Sequence, residues 1–426
     1  MAEAAKVASA TSGRNFLTRH PDFGRYWLAM ILVNTAVQIQ AVTIGWQVYT
    51  IARQSRSIED AAFLVGMVGL AQFLPFFLLT PFAGSVADRT SRKKIVILSV
   101  AVEVICAAML TRIALSPAPA VYHIFAVAAL FGSARAFQSP AASALVPMLV
   151  PRRDMPRAIS LKSLSWQMAV IGGPWIGGLL CARSVATSFG VGAALFLFGA
   201  LIMLGIAANT TPATQPGSRL AQIREGMVYT WTNKIIFGAI SLDLFAVLLG
   251  GATALLPAFA HDILKVGPEG FGLLRSGPAV GALLMAAILT RWPLQRHAGR
   301  RMLWAVAAFG LATVVFALSR TMWLSVAALA ALGAADMISV YVRQTLVQIV
   351  TPDHMRGRVS SFSGLFISAS NELGEFESGV VAHFLGPVGA AVFGGVGTII
   401  VTGIWAGLFP QLRRADLLDT AADKPG

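Results

Sequence analysis

Apolar runs near the length of a bilayer-crossing helix, about 20 residues, recur along the whole chain, separated by short polar segments. Twelve are read: 26–51, 62–83, 95–114, 121–147, 160–182, 187–208, 236–260, 270–290, 302–318, 323–349, 359–385 and 388–410. The pattern predicts an all-α integral membrane protein, and the runs are called spans 1 to 12. Residues 1–24 are polar and carry Lys6, Arg14 and Arg19. The first apolar run is too long for a signal core, so no cleavable leader is expected.

The longest polar interruption, 209–235, contains Thr-Thr-Pro-Ala-Thr-Gln-Pro-Gly and leaves six spans on each side. The halves repeat. At an offset of 201, Gly132 coincides with Gly333, Leu145 with Leu346, Val146 with Val347, Pro151 with Pro352, Gly173 with Gly374 and Gly178 with Gly379. Spans 4–6 therefore correspond to spans 10–12 in the same membrane direction. The expected organisation is a tail (1–25), a six-helix bundle (26–208), a linker (209–235), a second bundle (236–410) and a tail (411–426). Parallel repeats of this kind are a transporter architecture, with the substrate site near the midplane between them.

Composition narrows the class. Of the residues, 56% are apolar and 12% charged, about half the roughly 25% of soluble domains. Too few charges remain to coat a soluble protein of 426 residues. Cys106 and Cys181 each sit inside an apolar run, which excludes a disulfide framework and a structural zinc site. The net charge of +14 invites a nucleic-acid reading, but its placement opposes one. With both termini inside, inner segments hold 24 Lys and Arg against 6 in outer loops. Arg135, Arg275 and Arg343 lie within spans. That bias predicts cytoplasmic termini and an even number of spans. No phosphate loop and no nucleophile–base constellation occurs in the soluble segments. Neither enzyme activity, cofactor nor metal is expected, and the chain is expected to act as a monomer.

The first inner loop reads Gly84-Ser-Val-Ala-Asp88-Arg89-Thr-Ser-Arg92-Lys93-Lys94. It resembles the signature loop of the major facilitator superfamily, which has glycine where this chain has Ser91. Gly84 would let helices approach closely, Asp88 could cap a helix N-terminus, and Arg89, Arg92 and Lys93 would anchor the inner face. Simple positive-inside topology explains the cations equally well.

Span 4 holds Arg135-Ala-Phe-Gln138, similar to the superfamily's intramembrane Arg motif. A mid-span Arg costs about 2.5–3.5 kcal/mol on insertion scales, so it should face a cavity or a carboxylate. The repeat suggests Asp336 as partner, because Arg135 lands on it at offset 201. Such a pair would serve proton coupling or static packing. Span 5 contains Gly172-Gly173-Pro174-Trp175-Ile176-Gly177-Gly178, which resembles the superfamily's antiporter signature. Span 8 offers Gly277-Pro278-x-x-Gly281. The resemblance implies that spans 5 and 8 meet across the halves and form a seal that rocks.

Span 11 carries Asn371, Glu372, Glu375 and Glu377. Glu372 and Glu375 share a helix face. A carboxylate that exchanges a proton between two cavity states is what coupling requires. A static pairing of Glu375 with Arg275 is the alternative. Asp243 in span 7 is a further coupling candidate, and Glu103 in span 3 is expected to be structural. Asn34 and Gln38 share a face of span 1. With Gln138, Arg343 and Asn371 they are the candidate substrate contacts, interhelical hydrogen bonding being the alternative.

The stretches Val68-Gly-Leu-Ala-Gln-Phe-Leu-Pro75 and Arg356-Gly-Arg-Val-Ser360 are similar to the branch of the superfamily described as transmembrane secretion effectors. The resemblance covers the whole chain. It implies export of a small amphipathic molecule, siderophore- or drug-like, across a bacterial inner membrane by proton antiport. An importer on the same fold, a lipid or lysolipid flippase and a non-transporting sensor are the alternatives.

Overall fold

Every predicted apolar run is largely helical in the computed structural model, which describes residues 13–87, 89–211, 219–294 and 296–416. A short helix, Gly13–Arg19, leads into span 1, Pro21–Arg53. Span 2 is Ile58–Ala87, span 3 Arg92–Ala114, span 4 Val121–Leu149, span 5 Met155–Arg183 and span 6 Val185–Leu204. An amphipathic helix, Arg219–Thr232, ends the linker. Span 7 begins at Lys234, and spans 8, 9 and 10 are Pro268–Arg291, Ala298–Leu318 and Met322–Val350. Spans 11 and 12 lie in Asp353–Leu408. No strand occurs among the described residues.

Nine stretches of the described residues are long and apolar enough to cross a membrane. Spans 4 and 5 are not among them, and Ser370–Leu408 counts once although it bends. Spans 4 and 5 carry Arg135, Gln138, Lys162 and Gln167. Side chains that face a polar cavity need not meet lipid, so a wall helix tolerates this composition. The outer surface is apolar instead: Leu98, Leu204, Trp304, Trp323 and Ile400 are all exposed.

Two local sequences shape the spans. Gly386 takes φ 70° and ψ 166° ahead of Pro387 and separates span 11 from span 12. Glycine adopts that backbone without a Cβ clash, and the following proline excludes continued α geometry. Span 7 was expected to run unbroken over 236–260, but its α-helix stops at Leu249. A 3-10 turn over Ala252–Leu255 follows, then one α turn and a π turn over Phe259–Ile263. The break falls at Gly250-Gly251, where a Cβ on Gly251 would stand 2.6 Å from Gly374 of span 11. Close backbone packing thus replaces helix continuity there, and freed polar groups are tolerated because they line a cavity.

The halves are built alike. Span 4 packs on spans 2 and 3, and span 10 on spans 8 and 9; span 1 packs on spans 5 and 6. Gly132 presses on the Gln72 backbone, and its repeat partner Gly333 on that of Pro278. The bundle end that holds residues 20, 154 and 412 is called the near end, and the end with Arg53 and Asp262 the far end. At the near end His20 meets Asp154 at 3.0 Å, and Asp22 accepts the amides of Ala207 and Ala208.

Candidate functional site

Between the halves lies a cavity of three adjoining chambers that share wall residues. The near chamber, about 380 Å³, is walled by Tyr26, Asn34, Phe76, Gln138, Lys162, Trp166 and Asn371. A deeper chamber of about 160 Å³ is walled by Gln38, Gln40, Gln72, Thr253, Arg275 and Glu375. Arg135, Glu372, Val37 and Trp166 wall both. A side chamber of about 300 Å³ reaches Gln38, Gln167, Arg275 and Asp336.

Arg135 Nη1 stands 3.4 Å from Glu372 Oε1, joining span 4 to span 11 across the halves. Both side chains remain partly open to the cavity, at 32% and 23% exposure. The expected partner of Arg135 was Asp336; the structure pairs it with Glu372 instead. Repeat-related positions meet only on the pseudo-twofold axis, whereas Gly132 and Gly333 dock spans 4 and 10 onto spans 2 and 8. Glu375, one turn beyond Glu372, accepts from Thr253 Oγ1 at 3.1 Å and lies 3.8 Å from Arg275 Nη2. All three belong to the C-terminal half. Glu372 is therefore the span-11 acid whose ion pair depends on how the halves sit.

Asp336 joins a different group. It lines a small cavity with Asp243, Ser339 and Phe309, as well as the side chamber. Asp243 Oδ2 is 3.4 Å from Arg343 Nη2, and these side chains are only 6% and 3% exposed. Arg343, expected to touch substrate, is thus a buried counter-charge of Asp243. Breaking a buried pair by removing one partner typically costs about 3–5 kcal/mol. Arg343→Ala is accordingly expected to lower the thermal unfolding midpoint of the solubilised protein sharply, with much of the loss recovered in Arg343→Ala/Asp243→Asn. An unchanged midpoint in the single variant would contradict this assignment.

Gln138 lines the near chamber but donates to Glu103 Oε2 at 3.0 Å. That bond engages one oxygen of a fully buried acid, and the other, Oε1, has no hydrogen bond among the described residues. Asn34 and Asn371 wall the near chamber and Gln38 the deep and side chambers. Gln40 was not singled out from sequence. It is 2% exposed, walls the deep chamber, and its amide has no hydrogen bond among the described residues. Its spacing of seven from Gln47 was the available signal.

The antiporter-like glycines divide their work. Gly173 packs on Gln38 and Thr35, and Gly177 on Ile39, both in span 1 of the same half. Gly277 and Gly281, expected to meet span 5, pack on Leu329 and Ala330 of span 10. The cross-half contact is made by Gly178 against Gly272, where a Cβ on Gly178 would lie 2.5 Å from the Pro268 carbonyl oxygen. A second contact mirrors it. A Cβ on Gly66 of span 2 would lie 2.8 Å from Gly379 Cα of span 11. Gly178 and Gly379 are repeat partners, and Gly66 and Gly272 hold matching places in spans 2 and 8. Small residues let the backbones touch, so the pair closes the far end on both sides of the axis.

A latch reinforces this end. Arg53 holds both oxygens of Asp262, at 3.2 and 3.1 Å, and the Tyr49 hydroxyl donates to the same carboxylate. The spacing in sequence carries no signal for it, since span 1 and span 7 meet only in the fold.

The signature loop acts inside one half. Arg92 donates to the Ala144 carbonyl at 2.8 Å, and Lys93 to the Leu204 carbonyl at 2.9 Å. Lys93 thereby satisfies the last carbonyl of span 6, while Arg92 ties the start of span 3 to the final turns of span 4. Gly84 is buried and Arg89 exposed, while Asp88 lies outside the described residues.

Two pseudo-symmetric helical halves around a central cavity with intramembrane charges define a membrane transporter of the major facilitator fold, not an enzyme. The chain belongs to the transmembrane secretion effector family, which it matches over residues 17–425. It is similar to the enterobactin exporter EntS of Shigella boydii serotype 18 and of Escherichia coli O157:H7, at 25% identity over 401 residues and 94% of each chain. Solved structures share the fold. A bacterial homologue of the human lysosomal transporter Spinster superposes with TM-score 0.67 at 16% identity, covering 94% of this chain and 98% of that one. A D-xylose–proton symporter gives 0.69 at 14%, covering 92% and 99%.

Proposed function

We propose that this protein exports a small amphipathic molecule by proton antiport, alternating between two openings of the central cavity. The observation that carries the reading is the Arg135–Glu372 pair, set between the halves in a cavity closed at the far end by glycine contacts and the Arg53–Asp262 latch. In this reading all twelve spans cross a bacterial inner membrane, with the near end and both termini cytoplasmic. The 24-to-6 distribution of basic residues supports that orientation. The exporter names of the relatives support efflux.

Glu372 carries the coupling. Ionised, it holds Arg135; protonated from the far side, it releases Arg135, and one site biases two conformations. Asp336 and Asp243, linked to the cavity through the side chamber, are the second candidate. Both halves of the cavity come from one chain, which supports a monomer as the working unit.

Inside-out vesicles test the direction. With the lumen made acidic, they are expected to accumulate enterobactin or an amphipathic dye, and a protonophore should abolish the accumulation. Uptake that survives the protonophore unchanged would remove proton coupling. Uptake only with the gradient reversed would indicate import.

A further inference from the structure

The near chamber has an uneven charge. Arg135 faces Glu372, and Arg275 in the deeper chamber faces Glu375. Lys162 has no carboxylate partner among the described residues; its Nζ donates to Ser143 Oγ at 3.2 Å. By sequence it counts with the inner cations, although span 5 is read from residue 160; it lies in the second turn of helix Met155–Arg183, in the cavity wall. Trp166 follows at i+4 on the same helix face. It is 48% exposed, and it walls both the near and the deep chamber. Phe76 of span 2 also walls the near chamber.

We infer that Lys162 and Trp166 form a subsite for an organic anion bearing a flat ring, and that Lys162 selects anions over neutral and cationic molecules of the same shape. This rests on the transporter reading of the cavity and narrows its substrate class. The chamber walls contribute Arg135, Lys162 and Glu372, a surplus of one positive charge. A partly desolvated ammonium without a counter-charge gains most from a ligand that supplies one. The indole face offers stacking to a ring held one helical turn away. A cationic drug would meet the same ammonium as a repulsive element, which is how a site rejects the wrong charge.

The test measures Trp fluorescence quenching and thermal stabilisation of the purified full-length protein. The ligands are 1-naphthoate, 2-hydroxybenzoate and naphthalene-1-sulfonate, each against its neutral amide. Wild type is expected to bind the anions at least about tenfold more tightly than the amides, a difference of about 1.4 kcal/mol. Lys162→Gln, whose amide can still donate to Ser143, should erase that preference and leave amide affinity in place. Lys162→Arg should restore it. Trp166→Leu should weaken anion and amide alike. Equal binding of anion and amide by wild type overturns the inference, as does a preference unchanged in Lys162→Gln or no binding by any of the six ligands.

Transport of the same compounds in proteoliposomes separates the two readings. Selective binding without transport would leave the subsite standing and defeat the transporter reading for this class. Charge-blind transport would do the reverse.

Discussion

Replacing Glu372 by glutamine is expected to abolish uphill transport while leaving energy-independent exchange of substrate intact. An imposed gradient of one pH unit stores about 1.4 kcal/mol per proton, enough for about tenfold accumulation at one-to-one exchange. Glutamine keeps the shape and cannot ionise, so the accumulation ratio should fall to about one. Arg135→Ala should impair transport for the complementary reason: it leaves Glu372 in the cavity without the guanidinium 3.4 Å away. If the pair serves only to hold the halves together, the double variant Arg135→Ala/Glu372→Gln should regain uphill transport. If it couples, the double variant should fold and exchange yet fail to concentrate. Counterflow and gradient-driven uptake at matched expression decide between these outcomes. Normal accumulation in Glu372→Gln would move coupling to Asp336 and Asp243, which form a separate buried group with Arg343.

The second large effect is expected at Gly178. A Cβ there already meets the Pro268 carbonyl oxygen at 2.5 Å and the Gly272 Cα at 3.1 Å. Leucine adds three further carbons to a backbone-to-backbone contact, and overpacking of this kind costs about 1–3 kcal/mol. The strain exists only while the far end is closed, so it shifts the conformational equilibrium by about 5- to 150-fold toward a far-open state. Transport should fall steeply with the protein still folded. A cysteine substituted for Gln40, which walls the deep chamber, should then react with an impermeant reagent supplied from the far side. The native cysteines are both buried and contribute little background. Gly281→Leu is the contrasting variant. It clashes with Ala330 inside one half, so it should lower stability without exposing the deep chamber. Unaltered far-side labelling in Gly178→Leu would show that the glycine contact does not close the cavity.

Much of the architecture is legible in the sequence, because a bilayer imposes one-dimensional constraints. Span length, basic-loop bias and the repeat at offset 201 are properties of the chain read in order. The separation of spans 11 and 12 was readable as well, since Gly386-Pro387 leaves little alternative locally. Motif residues were also recognised: Arg135, Glu372, Glu375 and Gly178 all stand at the cavity or its far seal.

The pairing of Glu375 with Arg275 was open to the sequence as one of two readings; the other charge pairings were not legible, and the reason is geometric. Sequence equivalence set Arg135 opposite Asp336, but a pseudo-twofold axis brings together equivalent residues only where they lie on it. Arg135 instead found Glu372, and Asp336 came to share a cavity with Asp243. Gly277 and Gly281 looked like the partners of span 5 because their spacing copies its motif. Helix rotation turned them toward span 10 and presented Gly272 instead. Lys162 counts with the inner basic residues for its place at the start of span 5, and only the fold shows that it walls the near chamber. The chain by itself determined that this protein is a two-fold repeated membrane bundle with charged residues inside it, because hydrophobic length and charge bias act residue by residue. Which charge meets which, and which end of the cavity is closed, only the tertiary structure decided. Those outcomes depend on helix rotation and on approaches of a few ångströms between segments far apart in sequence.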